Sequence, residues 1–401
     1  MNYSEALHYL DRLRPKEFRM ELEPLREICS LCENPQRSFS TVHICGTNGK
    51  GSTAAFLTSL LMKNKYKVGL YTSPHLVSPE ERIQINRECI SSSDFARLTQ
   101  FIQSKLSDEM YLSYFEFMTL MSFIHFKEKK VNLAVYETGL GGRLDATNVI
   151  EPLVAIITPI SFDHMHHLGK TLEEIAKEKC GIIKRAVPTV TALQDEKVMR
   201  VIRRSCDDMG SPLFIASPDK VKSPLGLLGE HQKQNAACAL EAAEILSDLA
   251  YTIDHKEEAL LNTTWSGRLE IVQKNPCVII DGAHNEAGAK VLSQYLKTHF
   301  SPQRVVLATS IFADKDAKGM LRHIAPCVRE LHCLELVAER ASSPKDLASL
   351  ARLFHTKVLS YEGKPANEAL KGIAANLKKD EVLVIAGSLS LVGEVRKMFK
   401  E

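Results

Sequence analysis

The sequence feature that most constrains the fold is a glycine-rich loop between an apolar strand and an apolar helix. Residues 40–45 (Ser-Thr-Val-His-Ile-Cys) predict a buried β-strand, and a helix is predicted from about residue 52 to residue 62. The loop reads Gly46-Thr47-Asn48-Gly49-Lys50-Gly51-Ser52-Thr53. Glycines let backbone N–H groups approach phosphate oxygens, and the N-terminus of a helix favours negative charge. This order predicts a nucleotide phosphate site in an α/β domain, with a plain glycine turn as the alternative.

This phosphate loop does not have the usual spacing of a P-loop. The usual pattern is G-x-x-x-x-G-K-[ST]. This chain has G-x-x-G-K-G-S, with an additional glycine after the lysine. Lys50 is expected to face solvent in the cradle and to reach the β- and γ-phosphates. Ser52 or Thr53 can support Mg²⁺, because hydroxyl oxygens suit a hard cation.

The composition excludes several classes of protein. Hydrophobic residues make up 44% and charged residues 25% of the chain, which is typical of globular proteins and argues against disorder. A length of 401 residues suggests two or three domains. The 51 basic and 49 acidic residues nearly balance, so neither nucleic acid nor an anionic membrane is expected as the main partner.

The cellular setting is predicted from the N-terminus, the apolar runs and the cysteines. Residues 1–13 lack the apolar core of a signal peptide, and no run of about 18 apolar residues predicts a membrane span. The ten scattered cysteines are expected to be reduced thiols in the cytoplasm. Cys29 and Cys32 form a C-x-x-C pair. We interpret it as two half-buried thiols rather than a zinc site, since no second pair or histidine lies close in sequence.

Apolar β-branched runs alternate with longer amphipathic stretches, which predicts an α/β fold with largely parallel sheets. A second unit is expected to begin near Trp265-Ser266-Gly267-Arg268 and to contain a smaller doubly wound sheet. The predicted domains are therefore residues 1–267 and residues 268–401. Ligands of such folds bind beyond the carboxyl ends of the strands. Further buried strands are predicted at 68–71, 133–136, 154–157, 277–280, 304–308, 331–336 and 382–386.

A series of motifs in one order carries a resemblance to a known family. The phosphate loop resembles the ATP loop of the Mur-type amide ligases, and within them that of the folylpolyglutamate synthase and dihydrofolate synthase family. The resemblance continues along nearly the whole chain through these motifs: Thr72-Ser73-Pro74-His75-Leu76, Glu81-Arg82-Ile83-Gln84-Ile85-Asn86, the run from Glu137 to Asn148, Leu228-Gly229-Glu230-His231-Gln232 with Asn235-Ala236, Gly267-Arg268-Leu269-Glu270, Asp281-Gly282-Ala283-His284-Asn285 and Gly387-Ser388-Leu389. It implies an N-terminal ATP-binding domain like the central domain of the Mur ligases and a smaller, Rossmann-like C-terminal domain for glutamate ligation.

The resemblance also implies the nucleotide and metal site residue by residue. The implied ATP contacts are Thr47, Asn48, Gly49, Lys50, Gly51, Ser52, Asn235, Arg268 and Asp281. The implied magnesium ligands are Ser73, Glu137 and His164. Lys179 resembles a family lysine that carries a carbamate made with CO₂, which would hold a second Mg²⁺, although Cys180 stands where the family usually has Ala. Catalytic roles are implied for Lys50, Lys179 and His284.

The residues on their own leave several of these assignments open. Glu137 ends a hydrophobic strand, where it is either a Mg²⁺ ligand or a surface turn acid. The run Asp163-His164-Met165-His166-His167 would by itself be a zinc candidate or a solvated loop, because hard cations prefer oxygen. Lys179 near a helix end could complement the helix dipole. Arg268 suits a phosphate or a purine, with a salt bridge between domains as its alternative.

A pterin pocket and a glutamate side of the cleft are implied as well. The pterin-pocket residues are Phe115, Glu116, Leu144, Asp145 and Ala146. An aromatic ring and a carboxylate suit a flat, hydrogen-bonding pterin, although Phe115 could equally be helix core. His284 and Ser388 are implied to line the cleft beside glutamate and the γ-phosphate. The stretch from Arg19 to Arg26 departs from the Gly-Leu-Glu-Arg pattern of the family, which could change the pterin pocket.

The reaction expected from the resemblance is the ATP-dependent addition of L-glutamate to dihydropteroate and to reduced folates. A substrate carboxylate would attack the γ-phosphorus to give an acyl phosphate and ADP, and the amine of glutamate would then displace phosphate. The alternatives are a folylpolyglutamate synthase alone, a wall-building Mur ligase, a P-loop switch without ligation, and a catalytically degenerate folate-binding protein. The 45 residues before Gly46 are too few for the nucleotide-sugar domain of the wall-building ligases. We expect a monomer.

Overall fold

The computed structural model describes residues 1–13, 21–107, 110–338 and 340–399, and these form two compact units. The first unit comprises Met1–Gly226 and Lys233–Thr263, and the second comprises Leu227–Gln232 and Thr264–Glu401. The division after residue 267 stays a prediction about the functional domains. Arg19 and Met20, which begin the stretch that departs from the family pattern, lie outside the described residues.

An eight-stranded, largely parallel sheet organises the first unit. Its strands are β1 Ser40–Cys45, β2 Val68–Tyr71, β3 Ile83–Ile85, β4 Glu88–Cys89, β5 Leu133–Glu137, β6 Val154–Ile157, β7 Thr189–Thr191 and β8 Leu213–Ile215. They lie in the order β4-β3-β2-β5-β1-β6-β7-β8, and only the pairings that involve β3 and β4 are antiparallel. The chain continues from β1 to one side through β2 and β5, and then to the other side through β6. The carboxyl end of β1 is therefore the point where a ligand site is expected.

Ten α-helices accompany the sheet in the described part of the first unit. They are α1 Tyr3–Arg12, α2 Glu23–Leu31, α3 Lys50–Lys63, α4 Ser92–Gln103, α5 Tyr114–Glu128, α6 Met165–Leu168, α7 Leu172–Cys180, α8 Glu196–Met209, α9 His231–Asp248 and α10 Lys256–Leu261. The first two residues of α9 are assigned to the second unit. Helix α7 begins with a capping box, in which the Thr171 side chain accepts from the amide of Glu174. Across the described ranges of the whole chain, no helix has both the length and the apolar character needed to cross a membrane.

The carboxyl ends of the central strands meet at one edge of the sheet. Ile44 of β1 is in register with Glu137 of β5, and Tyr71 of β2 is in register with Tyr136 of β5. On the other side of β1, Cys45 pairs with Ile157 at the end of β6. The four loops that follow these strands therefore begin side by side.

An aromatic core lies behind this edge. The side chains of Tyr71, Phe117, Phe123, Phe126 and Tyr136 are fully buried in one cluster. Fully burying a side chain of this kind stabilises a fold by roughly 1.5–3 kcal/mol. The cluster gives the strand ends a rigid support.

The second unit contains a six-stranded sheet, in which the four strands predicted from the sequence are joined by two that were not predicted, at Glu270–Lys274 and Val358–Pro365. Its strands are β9 Glu270–Lys274, β10 Cys277–Asp281, β11 Val305–Thr309, β12 Glu330–Glu335, β13 Val358–Pro365 and β14 Val382–Ala386, in the order β13-β12-β11-β14-β10-β9. Only β9 is antiparallel to its neighbour. The helices are α11 Glu286–His299, α12 Ala317–Ile324, α13 Pro344–Ala351, α14 Ala366–Ala375 and α15 Leu389–Arg396.

Candidate active site

The phosphate loop is held by the segment that follows β6. A Cβ atom at Gly46, where φ is +149°, would lie 2.0 Å from Thr158 Oγ1, so this position requires glycine. The amides of Thr47 and Asn48 donate to the carbonyl of Pro159 at 3.0 and 3.2 Å. The Thr47 hydroxyl donates to the carbonyl of Ser161 at 3.1 Å, and the amide of Ser161 donates back to that hydroxyl at the same distance. The residues of this supporting segment were not identified from the sequence.

Gly49 and Asn235 meet at the start of α3. Gly49 has a φ of +85°, which lets the helix begin at Lys50, two residues before the predicted start. A Cβ atom on Gly49 would lie 2.2 Å from Asn235 Oδ1, and the Thr53 hydroxyl donates to the Asn235 carbonyl at 3.4 Å. Asn235 lies in α9 and packs against the phosphate loop. The resemblance implies this residue as an ATP contact.

Lys50, Glu137 and Ser73 come together at the strand ends. Lys50 Nζ lies 4.0 Å from Glu137 Oε1, and the amide of Ser73 donates to Glu137 Oε2 at 3.2 Å. Glu137 is only 5% exposed, so its interpretation as a surface turn acid is wrong. The expectation that Lys50 faces solvent is also wrong. Its side chain is 15% exposed, and Nζ donates to the carbonyls of Gly46 and Thr47 at 3.3 Å.

Lys179 reaches the same loop from the last turn of α7. It is buried, and its Nζ donates to the carbonyl of Gly46 at 2.8 Å. Burial lowers the pKa of Lys179, and the charge of Lys50 lowers it further, while Cys45, Asp163 and Asp145 act in the opposite direction. A lowered pKa increases the fraction of neutral amine at a given pH. Lys179 therefore contacts the phosphate loop, in addition to lying near the end of the helix where a positive charge complements the dipole.

The loop around His164 has a strained backbone. His164 has a φ of +50°, its amide donates to Asp163 Oδ1 at 2.9 Å, and its side chain is 37% exposed. Within the described ranges, no group of three or more His, Cys, Asp or Glu side chains is placed to hold a metal ion. Cys29 and Cys32 are buried rather than half-buried, and burial raises the pKa of both thiols.

The aromatic Phe115 and the acidic Glu116, at the start of α5, both have local structural roles. Phe115 is half-buried, and its Cζ lies 2.7 Å from where a Cβ on Gly139 would be. Glu116 Oε2 accepts from the amide of Ser113 at 2.7 Å and from its hydroxyl at 2.6 Å, which completes an N-terminal capping box. The carboxylate that the resemblance implies for the pterin is therefore already engaged by the helix start.

Asp145 holds the loop that follows β5. Its Oδ2 accepts from the amides of Gly139 and Leu140 at 2.8 and 2.9 Å, and its Oδ1 accepts from the amide and hydroxyl of Thr147. Burial raises the pKa of Asp145 against the lowering effect of these hydrogen bonds. The carboxylate thus fixes the backbone of the expected pterin pocket, with half-buried Leu144 and buried Ala146 beside it.

A fully buried histidine extends this hydrogen-bonded chain. His43 Nε2 lies 2.8 Å from Thr147 Oγ1, and because that hydroxyl donates to Asp145, Nε2 is the protonated nitrogen. Burial lowers the pKa of His43 to about 3, so the ring is neutral. His43 was treated only as a strand residue from the sequence, since its partner lies 104 positions away.

The predicted residues of the second unit lie close to strand ends: Arg268 precedes β9, Asp281 ends β10, His284 follows β10 and Ser388 follows β14. Asp281 accepts from the amides of Leu269 and Ala283 at 2.9 Å. Arg268 Nη1 donates to the Gly267 carbonyl at 3.2 Å and lies 2.0 Å from where a Cβ on Gly282 would be, so a side chain at position 282 would displace the Arg268 guanidinium. His284 Nδ1 lies 2.9 Å from the carbonyl of Gly282.

Ser388 does not present an exposed hydroxyl. Its exposure is 0%, and its Oγ accepts from the amide of Leu391 at 3.2 Å as the N-cap of α15. The hydroxyl therefore serves the helix start, and the placement of Ser388 beside glutamate and the γ-phosphate stays a prediction.

Comparison with known proteins agrees with this geometry. The Mur ligase middle domain matches residues 44–208, and the Mur ligase glutamate ligase domain matches residues 267–389. A phosphate loop at the switch point of one α/β unit and a glutamate ligase domain in the other define an ATP-dependent amide ligase of the Mur type. The chain belongs, within that class, to the dihydrofolate synthase/folylpolyglutamate synthase family.

Individual relatives show how far this similarity extends. The chain is 34% identical over 408 residues to the dihydrofolate synthase/folylpolyglutamate synthase of Bacillus subtilis (strain 168), with 94% of each chain covered. It resembles the Mycobacterium tuberculosis folylpolyglutamate synthase complexed with ADP at a TM-score of 0.90 and 31% identity, covering 100% of this chain and 98% of that one. The E. coli FolC structure in complex with DHPP and ADP matches at a TM-score of 0.89 and 27% identity, covering 99% and 97%.

Proposed function

We propose that this enzyme adds L-glutamate to dihydropteroate and to reduced folates, with ATP as its co-substrate. The observation that carries the proposal is the convergence of Lys50, Glu137 and Lys179 on one phosphate loop, with Lys50 Nζ 4.0 Å from Glu137 and Lys179 Nζ 2.8 Å from the Gly46 carbonyl. The name of the Bacillus subtilis relative, which joins both synthase activities, supports the two acceptors. The proposed domains are an ATP-binding domain of residues 1–267 and a glutamate ligase domain of residues 268–401, acting as a monomer.

ATP is proposed to bind with its phosphates on the loop of residues 46–53. The main-chain N–H groups at the N-terminus of α3 would donate to phosphate oxygens, and Lys50 would neutralise their charge. The proposed contacts in the first unit are Thr47, Asn48, Gly49, Lys50, Gly51, Ser52 and Asn235. Arg268 and Asp281 are the proposed contacts in the second unit.

The residues proposed to hold magnesium are Ser73, Glu137 and His164. The donor chemistry fits a hard cation, because Glu137 contributes a buried carboxylate at a strand end and Ser73 is adjacent to it through its amide. Bound Mg²⁺ would supply electrostatic neutralisation of the β- and γ-phosphates. His164 would add an imidazole nitrogen from its partly exposed side chain.

Lys179 is proposed to carry a carbamate. Its neutral amine would form an N–C bond with CO₂ and lose a proton, which gives a carbamate anion. Burial lowers the pKa of Lys179 and so favours the neutral amine that this step requires. The carbamate would provide oxygen ligands for a second Mg²⁺ at the phosphate loop.

The chemistry proposed is ligation through an acyl phosphate. The carboxylate of the acceptor attacks the γ-phosphorus, ADP leaves, and the amine of L-glutamate then attacks the acyl carbon and releases phosphate. The chain's own residues act by positioning and by charge neutralisation, as in other phosphoryl transfers. His284 is proposed beside the incoming glutamate, and Ser388 is proposed to act through the start of α15, which it caps.

The acceptor is proposed to bind against the start of α5 and the loop after β5. Phe115, Leu144 and Ala146 would line this pocket. Glu116 and Asp145 would maintain its shape, since their carboxylates hold the start of α5 and the loop backbone.

The test is phosphate release with each component omitted in turn. Purified enzyme with ATP, Mg²⁺ and dihydropteroate or a reduced folate is expected to release phosphate at a sustained rate only when L-glutamate is present. Release that is independent of glutamate and of both acceptors would instead support a nucleotide-hydrolysing switch and contradict the proposal.

A further inference from the structure

A buried arginine in the first unit has no acidic partner within the described residues. Arg82 ends the short 3₁₀ helix Pro79–Arg82 that precedes β3, and its relative exposure is 9%. Its Nε donates to His75 Nδ1 at 2.9 Å, and its guanidinium carbon lies 5.2 Å from the centre of the Tyr114 ring. It forms no ion pair with any carboxylate of residues 1–13, 21–107, 110–338 or 340–399.

The two acids that precede Arg82 are engaged elsewhere. Glu81 accepts hydrogen bonds from three main-chain amides, those of Leu76, Val77 and Ser78. Burial raises the pKa of the Tyr3 hydroxyl, and the neighbouring Glu80 carboxylate raises it further. Because His75 Nδ1 accepts from Arg82, that nitrogen carries no proton and does not alter the charge of the arginine. An arginine that is 9% exposed and has no carboxylate partner among the described residues is costly to bury, so this position favours an anion supplied by a ligand.

The contacts of Arg82 place it in the wall of the proposed acceptor pocket. His75 lies two residues after Ser73, whose amide donates to Glu137. Tyr114 directly precedes Phe115, whose ring lies against Gly139 in the loop after β5. The guanidinium therefore joins the loop after β2 to the start of α5, and both border the strand ends where the acceptor is proposed to react.

We propose that Arg82 binds the non-reacting carboxylate of the terminal glutamate in a folyl acceptor. This inference rests on the proposed function. Dihydropteroate has one carboxylate, which must react, whereas a folyl acceptor has two and must hold the second one in place. The phosphates of ATP already have Lys50, and Arg82 has no carboxylate partner among the described residues, so its guanidinium is available for that second carboxylate. A guanidinium fork matches a planar carboxylate and can donate two parallel hydrogen bonds to it.

The first experiment compares the two acceptors in Arg82→Gln and Arg82→Lys. In Arg82→Gln, kcat/KM for a reduced folate is expected to fall by about 10- to 100-fold, mainly through KM, because a charged hydrogen bond is lost. In the same variant, kcat/KM for dihydropteroate is expected to change by less than about 3-fold. Arg82→Lys keeps the charge and should recover part of the loss. Arg87→Gln, which removes another partly buried arginine of the same β3–β4 hairpin, should leave the ratio of the two values unchanged.

The second experiment removes the carboxylate from the ligand. Of the two monoamides of the terminal glutamate, the one that retains the reacting carboxylate remains an acceptor. Wild-type enzyme is expected to use this monoamide about 10- to 100-fold less well than the diacid, and Arg82→Gln is expected to use both equally.

Three outcomes have distinct meanings. An equal loss for both acceptors, with a lowered melting temperature, would assign Arg82 a structural role and overturn the inference. A monoamide penalty that persists in Arg82→Gln would also overturn it. Wild-type enzyme that ligates neither acceptor would contradict the proposed function itself. If wild-type enzyme ligates folate alone, the inference is decided by the comparison of the diacid with the monoamide in wild type and Arg82→Gln.

Discussion

The Nζ atom of Lys179 lies 2.8 Å from the carbonyl oxygen of Gly46, so a buried lysine of α7 is hydrogen-bonded to the first residue of the phosphate loop. The two residues are 133 positions apart. This contact joins the end of β1 to the helix after β6, on either side of the point where the strand order reverses. The Lys179 side chain and the phosphate loop therefore lie together at the carboxyl end of β1.

Replacing Lys50 should remove catalysis with little loss of structure. Lys50→Met keeps the partly buried stem but deletes the charge near Glu137, and we expect ligation to fall by about a thousandfold. Initial rates of glutamate-dependent phosphate release would measure the loss, and thermal melting would report on the fold. Lys63→Met, at the other end of α3, is the matched control and should retain activity. Near-normal ligation by Lys50→Met would remove the phosphate-loop assignment.

The carbamate proposed on Lys179 would have a chemical signature. Enzyme equilibrated with ¹³C-labelled CO₂ should show a carbamate resonance that is absent in Lys179→Ala. Short carboxylic acids should partly restore activity to that variant, because their oxygens can replace those that were lost. Lys177→Ala, an exposed lysine on the same helix, serves as the control. An unmodified ammonium in an active wild-type enzyme would contradict this prediction.

Asp145 is expected to stabilise the first unit. Asp145→Ala leaves the amides of Gly139, Leu140 and Thr147 without their acceptor, so the free energy of unfolding should fall by about 2 kcal/mol or more. Ligation of both acceptors should fall as the loop loses its shape. Chemical unfolding and initial rates would measure both effects. Unchanged stability together with a loss confined to dihydropteroate would instead favour direct binding of the pterin by the carboxylate.

His43 should make the first unit sensitive to acid. Its pKa in the folded state is about 3, below the ordinary value of 6.5, because burial disfavours the charged ring. Between these values the unfolded chain binds a proton that the folded chain does not, so stability is lost as the pH falls from 6.5 towards 3. From about pH 7.5 to about pH 5 the loss from this group is about 2 kcal/mol.

Two variants separate the sources of this acid sensitivity. His43→Gln should lose less stability over the same pH range than the wild type does, although it starts from a lower value. His125, also buried and with a pKa lowered to about 4, should contribute in the same direction, and His125→Gln measures its share. A wild-type stability that stays constant over this pH range would contradict the prediction.

The sequence predicts the strands well where burial is complete. The bounds of β2, β6 and β14 match the predicted runs, and every residue in them is buried. Apolar runs of this kind carry enough information locally. The start of α3 was misplaced because the left-handed conformation of Gly49, rather than a capping side chain, begins that helix.

The side-chain partners of the site were predicted less well. Ser113 and Glu116 have the capping-box spacing, so the local role of Glu116 could have been found from the sequence. The contacts of His43 with Thr147 and of Lys179 with Gly46 span more than a hundred residues. A local sequence pattern cannot predict such contacts, because the sheet topology brings the distant residues together.

The central claim is tested most directly by the masses of the products. Wild-type enzyme with ATP, Mg²⁺ and L-glutamate would be given dihydropteroate in one tube and a reduced folate in another, and the products would be identified by mass spectrometry. The account predicts one added glutamate in the first tube and at least one in the second, with neither product formed by Lys50→Met. Extension of folate alone, with no dihydrofolate from dihydropteroate at any enzyme level, would contradict the dual activity. The absence of both products would contradict glutamate ligation to folates altogether.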